Sequence, residues 1–417
     1  MTPNFWTWLL VGVLAFEYFT ETLADFFNLK NASLKLPAEF EGVYNPDRYR
    51  ESQQYLVEST RFEKIQRATF LVLILGFLFL GGFGWVDQCA QSLGKGSITS
   101  GLLFMGALGA MRLVLGIPFS VYSTFVIEAK FGFNRTTPKI FIQDWFKGLL
   151  LGTVFGGLII TALLYFFETA GSQAWLISWI GVSGFQLILS FLAPILILPL
   201  FNRFEPIPAG ALQDRIRKYA DGQKFKVSGI FTMDGSKRSS KSNAFFTGFG
   251  KFRRLVLFDT LIQKQTEDEL ISVLAHEIGH FKKKHILKGT LLSLLASGIV
   301  FWILGWLLSA IQNDPQIAQG FGLRGSSIYA GLFFAGILFS PLMRVFSILS
   351  LALSRQFEFE ADEYAVRSCK NPEAMISALK KLSVDHLANL TPHPIKILLH
   401  YSHPPVLARI RRIATPR

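Results

Sequence analysis

The sequence predicts an all-α polytopic membrane protein with a small α+β domain on its cytoplasmic side. Half of the 417 residues are hydrophobic and only 17% are charged, which is less charge than a soluble domain usually carries. Seven stretches are apolar and long enough to cross a bilayer. They lie at about residues 5–25, 67–86, 100–124, 148–168, 175–201, 288–311 and 328–352.

The first stretch is predicted to be a retained span, because no basic segment precedes it and no small-residue cleavage site follows it. It contains Glu17 and Glu21, which are four residues apart and therefore share one helical face. Carboxylates within spans usually face a protein interior or water, but these two could instead reach the membrane interface. Arg112 and Glu128, in and after the third stretch, leave the same two possibilities open.

Basic residues alternate between the loops, and this alternation predicts the orientation of the chain. They are frequent after the first and third stretches, in residues 202–287 and after residue 353, and almost absent from the other loops. The N-terminus is therefore expected outside, with the C-terminus and every large polar segment in the cytoplasm. We divide the chain into an N-terminal membrane region with five spans, residues 1–201, and a second region with two further spans, residues 202–417.

The net charge of +13 fits these basic loops, and no nucleic-acid-binding motif accompanies it. We therefore expect lipid, and not nucleic acid, as a partner. Cys89 and Cys369 fall on opposite sides of the membrane in this topology, which excludes a disulfide between them. The segment "RRIATPR" lacks a dilysine-type retrieval signal, which favours a bacterial inner membrane over the endoplasmic reticulum membrane expected in a eukaryote.

Residues 202–287 combine strand-forming and helix-forming segments. "KVSGIFTMD" and "RRLVLFD" are rich in β-branched and aromatic residues and are bounded by Gly, Ser and Asp, which predicts a strand pair or small sheet. "TEDELISVLAHEIGHFKKKH" predicts a helix that begins after Thr266, with Glu269 at the spacing of a capping box. The pattern allows this helix to continue into the sixth span.

That helix contains the pattern His-Glu-x-x-His at residues 276–280. The two histidines are one helical turn apart, so both imidazoles point the same way and can bind one zinc ion. Glu277 lies beside them and can act as general base on a water molecule. The alternative is a helix that carries two incidental histidines.

A catalytic zinc needs a third protein ligand, which "SRQFEFEADEYA" can supply. Glu358 can complete a site of two histidines and one glutamate, while Glu360 and Glu363 compete with it on spacing alone. Asp362, one turn after Glu358, can fix the tautomer of a ligand imidazole. His285 lies one turn beyond the motif and could support the site. The other histidines outside the motif, His386, His393 and His400, are expected to be structural or exposed.

At this point "HEIGHFKKKH" and "SRQFEFEAD" resemble the membrane zinc peptidases of the CAAX prenyl protease 1 family. Further similar segments cover nearly the whole chain in the family's order, at residues 36–56, 131–147, 241–262 and 402–410. The resemblance implies seven helices around a large water-filled chamber, with a catalytic domain that closes one end. It also implies a zinc metalloendopeptidase that holds one zinc ion per chain.

The resemblance assigns roles to the residues of the motif and its partner helix. His276, His280 and Glu358 match the zinc ligands. Glu277 matches the catalytic glutamate, and Asp362 matches the acidic residue one turn after the third ligand.

Further matches imply how a substrate binds. His403 and Arg409 match a pair that contacts the substrate backbone and stabilises the oxyanion, and a cationic donor beside a metal suits that role. Asn243 matches a residue beside the cleft. With Ala244 and Phe245 it belongs to an expected edge strand, which would hold an extended peptide through main-chain hydrogen bonds.

The substrate implied by the resemblance is a protein or peptide that ends in a prenylated cysteine followed by three residues, and the reaction removes that tripeptide. In a bacterium, membrane-protein quality control without prenyl specificity becomes the alternative. A transporter or channel with regulatory zinc is disfavoured, because the sequence shows no repeat symmetry. A non-proteolytic binding protein is disfavoured by Glu277, since a binder needs no general base. The oligomeric state is not predicted.

Overall fold

The computed structural model of the chain describes residues 2–247 and 253–415. Its first part is a series of long helices with short connections. These are α1 (Phe5–Asn31), α2 (Pro46–Phe79), α3 (Gly82–Leu93), α4 (Ser97–Tyr122), α5 (Pro138–Thr169), α6 (Ala174–Leu192) and α7 (Leu198–Phe201). A segment of π-helix, Ser123–Glu128, extends α4, and another, Ala193–Ile197, joins α6 to α7.

The second part combines a small sheet with further helices. The strands are β1 (Phe204–Pro206), β2 (Gly229–Met233), β3 (Ala244–Thr247) and β4 (Arg254–Phe258). The helices are α8 (Ala211–Gly222), α9 (Asp259–Lys264), α10 (Glu267–Lys282), α11 (His285–Asn313), α12 (Pro315–Gly320), α13 (Ile328–Leu338), α14 (Ser340–Cys369), α15 (Pro372–Asp385), α16 (Pro394–His400) and α17 (Val406–Ala414).

Several of these helices are long and apolar enough to cross a membrane. Within the described residues, four segments meet this condition alone: Ser97–Glu128, Pro138–Thr169, Gly171–Phe201 and His285–Gln312. The number rises to six if each of two bent pairs is one span, namely α2 with α3, bent by 67°, and α13 with α14, bent by 50°. The stretches predicted as spans near 67–86 and 328–352 are each interrupted by a bend, and they count as spans only if each bent pair is one span. Helix α1 does not meet the condition, and a seventh span stays a prediction.

The sheet has the order β1-β2-β4-β3. β2 and β4 are parallel neighbours, and β1 and β3 pair antiparallel with them on the two sides. The two predicted strands are thus present at the centre of the sheet, and β3 lies at an edge, as expected. Residues 248–252, which follow β3 in the chain, lie outside the described residues.

Helix α10 begins as the sequence predicts. The Thr266 hydroxyl accepts from the Glu269 N–H (3.4 Å), and the Glu269 carboxylate accepts from the Thr266 N–H (2.7 Å), so the capping box is complete. The helix does not continue into the next span, however. Lys284 has a left-handed φ of 58°, which is incompatible with a continuous right-handed helix, and α11 starts anew at His285.

A cavity of about 820 Å³ lies among the membrane helices and is lined mainly by apolar side chains of α1, α2, α4 and α13. Glu17 and Glu21 line it, and Arg344 of α14 donates to both carboxylates. Of the two possibilities that the sequence left open, a protein interior and the membrane interface, Glu17 and Glu21 therefore face the protein interior. Arg112 also lines the cavity and lies over the Phe70 ring, with its guanidinium carbon 3.4 Å from the ring centroid.

Candidate metal centre and active site

Two helices that are far apart in sequence bring the metal-binding side chains together. α10 carries the His-Glu-x-x-His motif and packs closely on α14. The contact is so close that a Cβ at Gly279 would lie 3.1 Å from both the Cα and the carbonyl oxygen of Ala361. Glycine at this position therefore lets α14 approach the face of α10 that presents the histidines.

His276, His280 and Glu358 converge at this contact. The two histidine Nε2 atoms are 3.1 Å apart, and the Glu358 oxygens lie 3.4 Å from His276 Nε2 and 3.2 Å from His280 Nε2. Ligand atoms at ordinary zinc distances around a tetrahedral ion are separated by about 3.3 Å. Glu358 Oε2 is moreover buried and accepts no hydrogen bond from the described residues. This donor set fits a zinc ion.

The two competing glutamates point elsewhere. Glu360 contacts His285, with 3.1 Å between its Oε2 and the imidazole Nε2. Glu363 pairs with Arg367 one turn further along α14. The packing of α14 thus selects Glu358 among three carboxylates that sequence spacing left as alternatives.

Asp362 and Arg409 lie directly behind the donor set. Asp362 Oδ1 is 2.8 Å from His276 Nδ1, and the Arg409 guanidinium donates to both Asp362 oxygens, at 2.8 and 2.6 Å. The Asp362 carboxylate is placed to accept a hydrogen bond from His276 Nδ1–H. A proton held on Nδ1 leaves Nε2 free to bind metal.

Glu277 lines the same cleft but is supported differently. The structure shows no ion pair or hydrogen bond for its carboxylate within residues 2–247 and 253–415. Burial in the cleft raises its pKa above the ordinary glutamate value. A carboxyl group with a raised pKa is suited to accept a proton from water and to pass it on near neutral pH.

His403 and Arg409, which were expected to act together, have different surroundings. The His403 side chain is 62% exposed at the cleft, with its Nε2 3.4 Å from Glu358 Oε1. Arg409 is buried and engaged by Asp362 and Glu358, 3.3 Å from the Glu358 carboxylate. His403 is therefore free to meet a substrate, whereas the Arg409 guanidinium is already committed to the carboxylates behind the site.

The predicted substrate-binding residues lie at the start of the edge strand. Asn243 and Ala244 line a cleft of about 760 Å³, whose lining also includes His276, Glu277 and Glu358. Asn243 accepts from the Ala244 N–H through its side chain (2.9 Å) and from the Phe258 N–H through its carbonyl (3.0 Å). Phe245 pairs with Val256 in the sheet and is not part of the cleft lining.

Two further histidines, which the sequence analysis expected to be structural or exposed, line the cleft. His386 Nε2 accepts from the Ser242 N–H (3.1 Å), and burial together with Lys241 lowers the His386 pKa, so that this nitrogen stays unprotonated. His400 lines the cleft and reaches Glu21, 3.0 Å away. The four histidines between residues 386 and 403 were the available signal.

Comparison with known proteins agrees with this geometry. A profile described as "CAAX prenyl protease N-terminal, five membrane helices" matches residues 25–203, and the profile "Peptidase family M48" matches residues 206–417. The chain is a zinc metalloprotease and an integral membrane protein. It belongs to peptidase family M48.

Individual relatives cover nearly its full length. It is 33% identical to a CAAX prenyl protease 1 homolog of Arabidopsis thaliana, over 97% of this chain and 96% of that protein. It is 29% identical to CAAX prenyl protease 1 of Saccharomyces cerevisiae, over 98% and 95%. The crystal structure of S. mikatae Ste24p matches with a TM-score of 0.92 and 29% identity, over 99% of this chain and 100% of that one.

Proposed function

We propose that this protein removes the C-terminal tripeptide of substrates that end in a prenylated cysteine plus three residues. The observation that carries the proposal is the similarity, along almost the entire chain, to proteins named CAAX prenyl proteases. The cleft adds support, because it combines a zinc donor set with an edge strand. His400 further connects this cleft to the mainly apolar cavity through Glu21.

In this proposal His276, His280 and Glu358 hold the zinc ion, and Asp362 orients His276. When bound, zinc supplies a Lewis acid that polarises the scissile carbonyl and a water molecule. The division at residue 201 into a membrane region and a peptidase region is part of the same proposal. It is supported by the two profiles, which meet between residues 203 and 206.

The residues of the chain perform the proton transfers. Glu277 accepts a proton as the water oxygen attacks the carbonyl carbon, and it gives that proton to the leaving nitrogen as the C–N bond breaks. His403 donates to the carbonyl oxygen where negative charge develops, which its exposed position beside Glu358 supports. Arg409 acts through Asp362 and Glu358 by holding both carboxylates in place.

The substrate lies in an extended conformation along β3. Its backbone pairs with the free edge of the strand near Asn243 and Ala244, while Phe245 anchors the strand through its pairing with Val256. Recognition of this kind rests on main-chain hydrogen bonds and demands little of the substrate side chains. It therefore also suits the alternative, a quality-control protease without prenyl specificity.

The catalytic region faces the cytoplasm and the N-terminus lies on the opposite side, a proposal supported by the basic residues of the loops. The bacterial inner membrane is the location that we expect. The relatives described above come from eukaryotes, so the endoplasmic reticulum is the competing location. Membrane fractionation identifies the membrane that contains the protein. Protease protection of tagged termini tests the proposed orientation.

The test is cleavage of a farnesylated CAAX peptide by the purified protein in detergent, beside the identical peptide without the lipid. Mass spectrometry should detect the released tripeptide from the farnesylated peptide, and Glu277→Gln should release none. Equal cleavage of both peptides would contradict prenyl specificity and favour the quality-control function. No cleavage of either peptide by a zinc-loaded protein would contradict the proposed substrate class.

A further inference from the structure

His285 lies buried between a proposed metal ligand and a carboxylate. Its Nδ1 is 3.1 Å from His280 Nδ1, and its Nε2 is 3.1 Å from Glu360 Oε2. The ring stacks on Phe357, with 4.1 Å between centroids and 8° between planes. Only 4% of the residue is exposed, so this imidazole has defined partners at both nitrogens and on one face.

We propose that His285 and Glu360 are positioning residues that fix the tautomer and ring orientation of His280, and thereby set the affinity of the metal site. The proposal rests on the metal site described under the proposed function. It assigns a role to a histidine outside the His-Glu-x-x-His motif and to a glutamate that does not reach the metal.

Geometry permits only one direction for the hydrogen bonds. His280 Nε2 faces His276 and Glu358, so this nitrogen must present its lone pair to a metal and the proton must reside on Nδ1. His280 Nδ1–H therefore donates to His285 Nδ1. The His285 proton then lies on Nε2 and is donated to the Glu360 carboxylate. The opposite direction would place a proton on His280 Nε2 and block metal binding.

The interruption of the helix at Lys284 makes this contact possible. In a continuous α-helix, residues five apart point about 140° away from each other, so His285 would face away from His280. The left-handed conformation of Lys284, with a φ of 58°, ends the first helix and turns His285 back towards the metal site. Such a conformation is unfavourable for a residue other than glycine.

The two ligand histidines are thus supported in different ways. His276 meets a carboxylate directly, through the 2.8 Å contact with Asp362. His280 is linked to a carboxylate through the intervening imidazole of His285. Removing such a partner of a metal-binding histidine typically lowers metal affinity by about 10–100-fold.

Two substitutions of His285 separate hydrogen bonding from packing. In His285→Gln, the amide oxygen can accept from His280 and the amide nitrogen can donate to Glu360, but the stack on Phe357 is lost. In His285→Phe, the stacked ring is kept and both hydrogen bonds are lost. Zinc affinity and zinc release into a colorimetric chelator are measured on the full-length protein in detergent, and the visible spectrum of the Co²⁺-loaded protein reports ligand geometry.

We expect His285→Phe to lower zinc affinity by about 10–100-fold and to shift the Co²⁺ spectrum, while His285→Gln stays within a few-fold of wild type. Glu360→Gln should speed zinc release several-fold. Glu363→Gln is the matched control, since it removes the same charge three residues away on α14 without touching a histidine, and it should change nothing. If the phenylalanine variant does not accumulate, the Glu360 and Glu363 pair alone decides the proposal.

Zinc affinity that is normal in His285→Phe but reduced in His285→Gln would overturn the proposal and assign His285 a packing role. Equal zinc release from Glu360→Gln and Glu363→Gln would overturn it as well. Failure of the metal site itself has a different signature, because wild type would then bind no zinc and His276→Ala would change nothing.

Discussion

Helix α14 carries two clusters of ion pairs, one at each end, and they are built differently. Near its start, Arg344 pairs with Glu17 and Glu21 at the wall of the cavity, and its side chain is 19% exposed. Towards its end, Asp362 and Glu358 pair with Arg409, whose side chain is 10% exposed. The first cluster joins membrane helices, and the second lies behind the metal site.

The clusters differ above all in how many arginine or lysine side chains lie near each carboxylate. Glu21 also lies 3.9 Å from Arg67, so it keeps a second arginine neighbour if Arg344 is removed. Arg409 is the only arginine or lysine within ion-pair distance of Asp362 and Glu358 among the described residues. The cavity cluster should therefore tolerate loss of one member, and the catalytic cluster should not.

The largest expected effect is on catalysis, and it comes from a residue that belongs to neither cluster of ion pairs. Glu277→Gln should lower kcat/KM by about 10²–10⁴-fold, because it removes the general base. Zinc content should stay at the wild-type level, since Glu277 is not among the converging donor atoms. Peptide cleavage and metal analysis of the same preparation check both points, and unchanged cleavage would contradict the role of Glu277.

Arg409→Met should be the most destabilising change in the comparison. It leaves the buried carboxylate of Asp362 without its arginine partner, and loss of one partner from a buried ion pair typically costs about 3–5 kcal/mol. Unfolding in detergent, monitored by circular dichroism, measures the decrease in the free energy of unfolding. A change below about 1 kcal/mol would mean that Arg409 is dispensable for the cluster.

Removal of zinc should affect the catalytic cluster and spare the cavity cluster. Chelation leaves the carboxylate of Glu358 and two imidazoles without their shared cation, and metal binding is coupled to folding free energy. Hydrogen exchange should become faster in α10 and in the second half of α14, by about tenfold or more. Equal acceleration in α1, which carries Glu17 and Glu21, would contradict the independence of the two clusters.

Arg344→Met should have a smaller effect than Arg409→Met, of about 1–2 kcal/mol. The charges that it leaves are partly exposed to the cavity, where ion pairs contribute less, and Glu21 retains Arg67 as a cationic neighbour. The same unfolding measurement applies, with Arg409→Met as the reference. A loss as large as that of Arg409→Met would refute the difference between the clusters.

The smallest expected effect concerns pH and the start of α10. Burial of the Glu269 carboxylate opposes its charge, but Lys381, Ser377 and the Thr266 N–H outweigh burial and lower its pKa below the ordinary value of 4.5. Because the folded-state pKa is lowered, its stabilisation is fully present above pH 4.5 and disappears as the pH falls through the folded value.

Glu269→Gln keeps the capping box but removes the charge that Lys381 contacts. It should therefore destabilise the protein by about 1 kcal/mol at pH 7, as expected for a weakened hydrogen bond to a charged group, and by progressively less below pH 4.5. Unfolding of both proteins from pH 7 to pH 3 measures the difference. The hydrogen bond from the Glu269 N–H to the Thr266 hydroxyl is the same in both proteins, so the difference reports the carboxylate alone. A difference that grows on acidification would contradict the assigned sign.

The sequence by itself determined the features that depend on neighbouring residues. His276, Glu277 and His280 share a helix turn, so their relative positions follow from the helical repeat alone. The Thr266–Glu269 capping box is equally local. The apolar stretches and the two central strands could also be predicted, because composition and periodicity act over short segments.

Only the tertiary structure decided which distant side chains meet. Glu358, Glu360 and Glu363 lie on one helix, and the packing of α14 on Gly279 determines which of them faces the two histidines. The pairing of Glu17 with Arg344 joins residues more than three hundred positions apart. The left-handed conformation of Lys284, which separates α10 from α11, could not be predicted, because the local sequence favours a continuous helix. Local helix geometry thus placed the two histidine donors. Long-range packing added Glu358 as the third donor, Arg409 behind the site and His285 beside it.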